Sequence, residues 1–185
     1  IPARCLSKTE AYQVQSGRVA RFDQTDTIAK MMKSTYMPYS IEMCYDEVDG
    51  GVVSFQVTHQ CTNHDEELYQ MPRVGPADKG KCQETMLSEG QRSDMNQVIV
   101  TGDGTQIDKI SFGVEDPIVI SNNSIETTSA GAVSGSEQIL ESKFEIKEGY
   151  DIVGFWGGAS DEKVVQLGFI KKDNACVNKY GTSVE

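Results

Sequence analysis

The sequence predicts an all-β fold built from three pseudo-threefold repeats of about 57 residues, and three observations carry that reading. Apolar and polar residues alternate over short runs bounded by Gly, Asn, Asp and Ser, which is the pattern of half-buried strands. Stretches with a 3.6-residue period are scarce. Val53-Ser54-Phe55-Gln56-Val57 recurs as Ile110-Ser111-Phe112-Gly113-Val114 and again as Leu167-Gly168-Phe169-Ile170, so Phe55, Phe112 and Phe169 are 57 apart each time (112 − 55 and 169 − 112). Side chains alternate across a strand, so the three phenylalanines fall on the same face of equivalent strands.

Taken in order, residues 1–40 read as an N-terminal extension packing on a single domain that spans 41–185. The extension holds the best helical candidate, Thr25–Ser34, where Ile28, Met31 and Met32 share one face. Strands follow at Ile41–Tyr45, Val52–Thr58, Val98–Thr101, Ile107–Val114, Phe144–Ile146, Ile152–Trp156 and Val164–Ile170. Two long polar connections, Thr62–Asp94 and Ser121–Ser136, read as surface loops or edge hairpins. Each phenylalanine strand is preceded by a strand and a Gly/Asp turn: Asp49-Gly50-Gly51, Gly102-Asp103-Gly104 and Gly157-Gly158. A unit that cannot bury its own apolar face gains by packing on its copies, so the repetition implies a closed, pseudo-threefold β structure.

Composition narrows the function. With 17 Lys and Arg against 28 Asp and Glu, the net charge is −11. Nonspecific nucleic-acid binding needs cations to neutralise phosphates, so nucleic acid is excluded as a partner. No apolar run approaches the roughly 18 residues that cross a bilayer, so no membrane span is expected. The chain begins at Ile1, which reads as a processed form whose signal peptide is gone. Five cysteines (Cys5, Cys44, Cys61, Cys82, Cys176) with no Cys-x-x-Cys pair read as two disulfides plus one odd thiol, their connectivity open. That implies a secreted protein or one in an extracellular or vesicular lumen, and the sequon at Asn122 agrees with glycosylation there. The odd cysteine suggests a homo-oligomer or a bond to a partner chain.

The segment Glu148-Gly149-Tyr150-Asp151-Ile152-Val153-Gly154-Phe155-Trp156-Gly157-Gly158, followed by Val164-Val165-Gln166-Leu167-Gly168-Phe169-Ile170, resembles the closing segment of jacalin-related lectins. Asp108-Lys109-Ile110-Ser111-Phe112, the glycine-rich 131–135 and the strand at Phe144 are similar to that family's middle repeat, so the resemblance is best over 98–173. It implies a β-prism of three four-stranded Greek-key sheets that binds glycans or glycoproteins, with no catalysis, cofactor or obligatory metal. In that family a Gly-x-x-x-Asp loop offers backbone N–H groups and a carboxylate to the hydroxyls of one hexose, and a Gly-Gly turn completes the cup. Glycine permits close backbone approach, and a carboxylate accepts charge-assisted hydroxyl bonds.

The family's aspartate directly precedes its last strand, where this chain has Val165. The second repeat keeps the pattern: Gly104-Thr105-Gln106-Ile107-Asp108 runs straight into its phenylalanine strand. Gly104 and Asp108 are therefore the expected sugar-binding residues, with Gly50 and Gly51 as the adjacent turn. Gly158 and Asp161 are the fallback, in a longer register. Trp156 is expected to pack rather than stack on a sugar.

Other chemistry is less well supported. His59, Cys61, His64 and Asp65 are zinc-type ligands within seven residues, but no second cluster completes a site, so no metal is expected. No Gly-x-Ser-x-Gly elbow is present, and the carboxylate pairs at Asp46, Asp65 and Asp161 read as a solvated face, so no enzyme is expected. The alternative to a lectin-like module is a structural or protein-interaction module on the same fold with its sugar site lost, such as a coat or matrix component or part of a pore-forming protein.

Overall fold

A computed structural model describes residues 1–14, 18–33, 35–61, 67–87, 95–122 and 140–180. It contains twelve strands: β1 (Leu6–Gln13), β2 (Ala20–Asp23), β3 (Tyr36–Tyr45), β4 (Val52–Cys61), β5 (Leu68–Gln70), β6 (Lys81–Met86), β7 (Gln97–Gly102), β8 (Ile107–Phe112), β9 (Ile118–Ser121), β10 (Leu140–Glu145), β11 (Tyr150–Ala159) and β12 (Val164–Asp173). A short 3-10 turn covers Ala3–Cys5, and two short helices are α1 (Thr25–Met31) and α2 (Asn174–Tyr180). The strands form three four-stranded sheets, ordered β5-β4-β3-β6, β10-β7-β8-β9 and β1-β12-β11-β2. All pairings are antiparallel.

Each sheet is built around one hairpin: β3–β4, β7–β8 or β11–β12. In the first two sheets the next strand pairs with the hairpin's second member and the following strand with its first, a Greek key. In the third sheet no described strand follows β12, and β1 and β2 take those two places. Residues 1–40 are therefore not an extension packed on a domain that begins at 41. They complete the third sheet and enter β3, because the β11–β12 hairpin would otherwise leave both edges unpaired. The Cys5–Cys176 disulfide, with Cα atoms 5.4 Å apart, ties the two ends of the chain where they meet.

The three repeat phenylalanines lie on equivalent inner strands and are fully buried. Phe55 faces Met43 across its hairpin, Phe112 faces Val98, and Phe169 faces Phe155. Their rings join one edge-to-face chain: Phe55 to Phe155 at 5.3 Å, Phe155 to Phe169 at 5.6 Å, and Phe169 to Phe112 at 6.0 Å. Such pairs add about 0.5–1.5 kcal/mol each beyond burial. The chain draws Phe55 from the first sheet, Phe112 from the second and both Phe155 and Phe169 from the third, so it packs the three faces against one another.

Several expectations shift in detail. The predicted helix ends at Met31, and Met31 points to solvent while Ile28 and Met32 are buried. Gly157 and Gly158 lie inside β11 rather than in a turn. The connection 62–94 carries two edge strands, β5 and β6, and β6 is clipped to β3 by the Cys44–Cys82 disulfide. Cys61 is the odd cysteine, and it is buried beside the Thr35 hydroxyl (3.3 Å). Buried in that way, it cannot form the expected bond to a partner chain. Asn122 follows β9, while the rest of its sequon and residues 123–136 lie outside the described residues.

Candidate functional site

The hairpins β3–β4, β7–β8 and β11–β12 end in turns that share one design. Asp46 accepts from the backbone N–H groups of Val48 (2.8 Å) and Asp49 (3.1 Å). Asp103 accepts from Thr105 N–H (2.8 Å), Thr105 Oγ1 (2.6 Å) and Gln106 N–H (3.1 Å). Ser160 Oγ accepts from Glu162 N–H and Lys163 N–H, both at 3.2 Å. These caps are 57 apart as well (103 − 46 and 160 − 103). Short side-chain oxygens satisfy the turn's own N–H groups, the ordinary reason for Asp and Ser there. The equal spacing was available in the sequence but is hidden by the Asp-to-Ser change.

Asp103 illustrates the electrostatics. Burial alone would raise its carboxyl pKa, but the Thr105 hydroxyl and the Thr105 and Gln106 N–H groups outweigh burial and hold it below the usual carboxylate range. Asp46 is lowered by the same kind of backbone bonds from Val48 and Asp49.

Five residues beyond each cap stand Gly51, Asp108 and Val165. Of these equivalent positions only the second carries a carboxylate. Asp108 is half-buried, and Gln106 Nε2 donates to its Oδ1 at 2.6 Å and to the Asp49 carbonyl at 2.9 Å. Gln106 is buried and packs against Gly51, where an added Cβ would lie 2.9 Å from the Gln106 Cβ. One side chain thus brings the expected Gly50–Gly51 turn to the expected aspartate. Gly50 and Gly104 turn the chain with φ of 75° and 91°, a conformation glycine adopts without strain. Gly102 admits the buried Tyr12 of β1, since a Cβ there would lie 2.4 Å from the phenol oxygen. Burial raises the Tyr12 pKa; the Gly104 backbone bond opposes the rise, and Asp108 and Asp103 add to it.

The fallback residues stand elsewhere. Asp161 is exposed at the β11–β12 turn, where its carbonyl accepts from Lys79 Nζ at 3.2 Å. Gly158 is buried in β11, covered by Val19. Trp156 packs as expected: its Nε1 donates to the Thr9 carbonyl at 3.1 Å, with Lys8 over the ring. His59 is fully buried and donates from Nε2 to the Val153 carbonyl at 2.6 Å, which joins β4 to β11. Its zinc-type neighbours His64 and Asp65 lie outside the described residues. Sequence reasoning missed Gln106 and Tyr12, because their roles depend on contacts between sheets.

The fold has known relatives. The structure of AcmJRL, a mannose binding jacalin related lectin from Ananas comosus, matches 91% of this chain and 98% of its own, with TM-score 0.57 and 13% identity. Calystegia sepium agglutinin matches 90% of this chain and 96% of its own, with TM-score 0.58 and 10% identity. Artocarpin, solved in complex with mannotriose, matches 90% and 97% respectively, with TM-score 0.55 and 16% identity. No protein-family model matches the sequence, and no curated protein matches it. The likeness in shape establishes that this chain has the three-sheet β-prism fold of the jacalin-related lectins.

Proposed function

We propose that this chain is a secreted, non-catalytic carbohydrate-binding module whose site is the β7–β8 turn. Asp108 is the hydroxyl acceptor, the backbone around Gly104 is the close wall, and the Gly50–Gly51 turn is the second side of the cup. One observation carries the reading: of the three equivalent positions five residues beyond the turn caps, only Asp108 is a carboxylate, and Gln106 fixes it against the neighbouring turn. The fold neighbours support it, since two are described by their mannose or mannotriose binding. Two intrachain disulfides suit an oxidising compartment. No helix among the described residues is long and apolar enough to cross a membrane.

A glycan array with the purified protein tests the reading, followed by the Asp108→Asn variant. Asparagine keeps an acceptor for Gln106 while removing the charge. A charge-assisted bond contributes about 1.5–3 kcal/mol, so affinity should fall roughly ten- to hundredfold. Undiminished binding by the variant would move the site elsewhere. The second reading, a protein-interaction module with its sugar site lost, is favoured by one observation: buried Val165 at the position five beyond Ser160. An array on which the wild-type protein binds nothing would select it.

A further inference from the structure

We propose that the Cys44–Cys82 disulfide is a thiol–disulfide exchange site, opened by an external dithiol that attacks Cys82 and expels Cys44 as a thiolate stabilised by Arg73. Cys44 of β3 lies directly opposite Cys82 of β6, and β6 is an edge strand of the first sheet. Met43 faces Phe55 in the core, so Glu42 and Cys44 project from the sheet's outer face, as do their partners Gln56 and Ser54.

Arg73 lies over this face. Its Nη2 pairs with Glu42 and reaches Gln56 Oε1 at 3.5 Å, which anchors the guanidinium. Its Nη1 donates to Ser54 Oγ at 3.2 Å and to Cys44 Sγ at 3.3 Å. The two half-cystines therefore stand in opposite surroundings: Cys44 is buried beneath a cation, and Cys82 is exposed. Exchange proceeds in line, with the incoming sulfur, the sulfur attacked and the sulfur displaced collinear, so attack on Cys82 from solvent makes Cys44 the leaving group. A cation beside a sulfur favours its thiolate, and a more stable thiolate leaves faster. The Cys5–Cys176 bond is less open to attack. Cys5 is buried, Cys176 is half-buried, and the guanidinium of Arg4 lies over the Tyr180 ring, 4.6 Å from its centroid.

The attacking thiol comes from another molecule. Cys44 pairs with Ser54, and Cys61 stands seven residues further along β4 (61 − 54), roughly 23 Å away at ~3.3 Å per residue. The dithiol's first thiolate forms a mixed disulfide with Cys82 as the Cys44–Cys82 bond breaks and Cys44 leaves with the electron pair. The dithiol's second thiolate then attacks its own first sulfur, closing an internal disulfide and releasing Cys82 as a thiolate. Cys44 and Cys82 take up the two protons that the dithiol gives up, so the cystine gains two electrons and the dithiol loses two. Opening the bond removes the covalent clip from an edge strand whose residues are all exposed or half-buried.

The test exposes the native, unreduced protein to equal concentrations of dithiothreitol or of a Cys-x-x-Cys dithiol protein, with alkylation at intervals and mass-spectrometric mapping. Cys44 and Cys82 should be alkylated roughly tenfold faster than Cys5 and Cys176, and a mixed disulfide trapped with glutathione should sit on Cys82. Faster opening by the protein dithiol identifies a protein partner, and opening by dithiothreitol alone identifies a small thiol. Arg73→Gln should slow opening of this bond roughly three- to tenfold and Arg73→Lys less, with the Cys5–Cys176 rate unchanged. A variant that merely loosened the sheet would open faster, so slowing separates the guanidinium's chemistry from a folding defect. Opening of Cys5–Cys176 first or at the same rate, a mixed disulfide on Cys44, or an Arg73→Gln rate at or above that of the wild type would each overturn the exchange site.

Discussion

His59 should make this protein acid-labile in a pH window that no other described group covers. Its imidazole is fully buried, with Nε2 donating to Val153 and Nδ1 meeting no hydrogen-bond partner among the described residues. Burial is the larger influence and drives its pKa from 6.5 down to about 4; the Val153 bond opposes the shift. The folded state therefore resists a proton that the unfolded chain accepts readily. Stability is full above about pH 6.5 and declines as pH falls toward 4, with a slope of up to about 1.4 kcal/mol per pH unit. At pH 5 the loss is about 2 kcal/mol, and below pH 4 it levels off near 3 kcal/mol. Asp23, Asp46 and Asp103, whose pKa values are lowered from 3.8, act in the same direction but only at lower pH. Urea unfolding at pH 7, 6, 5 and 4.5 measures the decline. The His59→Gln variant should flatten the profile over that range, while His64→Gln should leave it in place. A wild-type profile that is flat from pH 7 to 4.5, or one whose slope survives His59→Gln, refutes the reasoning.

Four further outcomes follow from the packing and the disulfides. Phe169→Ala removes the ring that touches Phe112, Phe144 and Phe155, and chemical denaturation should show a loss of about 3–5 kcal/mol. Intact mass after thiol blocking should show one alkylated cysteine in the denatured, unreduced protein and five after reduction. Since Cys5–Cys176 spans 171 residues against 38 for Cys44–Cys82, the chain-entropy argument makes its removal costlier by about 1.3 kcal/mol. Gly168→Ala places a Cβ 2.3 Å from Trp156 Nε1, so the indole must leave its Thr9 partner; a changed emission spectrum from the one tryptophan, with about 1–3 kcal/mol lost, is the expected result.

The parts of the fold that were legible in the sequence are those whose pattern is local. Phe55, Phe112 and Phe169 were readable because each lies in a strand with a clear alternation. Strands β3, β4, β7, β8, β11 and β12 were found because they are the inner hairpins, buried enough to keep an apolar face. The outer strands were harder. In β1, only Tyr12 of Leu6–Gln13 is fully buried, so its sequence reads as polar connection. In β2, Ala20–Asp23 is four residues long and mostly exposed. The helix α2 is a single polar segment anchored by Val177 and the Cys176 disulfide. At the candidate site, Gly104, Asp108 and the Gly50–Gly51 turn were readable from register. The bridge that joins them, Gln106, carries no sequence signal, because a glutamine is ordinary until its two acceptors are known.

The least legible segment therefore has most to do with how the third sheet closes. A threefold structure needs three hairpins, and this chain has them between 36 and 173. What those residues lack is the pair of flanking strands for the last hairpin. Supplying these from the N-terminus puts the end of β1 beside the β7–β8 turn, where Tyr12 occupies the space that Gly102 leaves open. The same closure puts β2 beside β11 and brings Arg21 opposite Gly158. The Cys5–Cys176 bond and the Gln24 side chain, whose Oε1 accepts from Phe155 N–H at 3.0 Å, hold this segment down from both sides of β1 and β2. The sequence differences between the repeats then become chemically useful, since symmetry repeats the turn three times while the residue five beyond each cap changes from glycine to aspartate to valine. Three copies of one turn thus present three different residues at one equivalent place, and the closure by β1 sets Tyr12 beside the turn that carries the carboxylate.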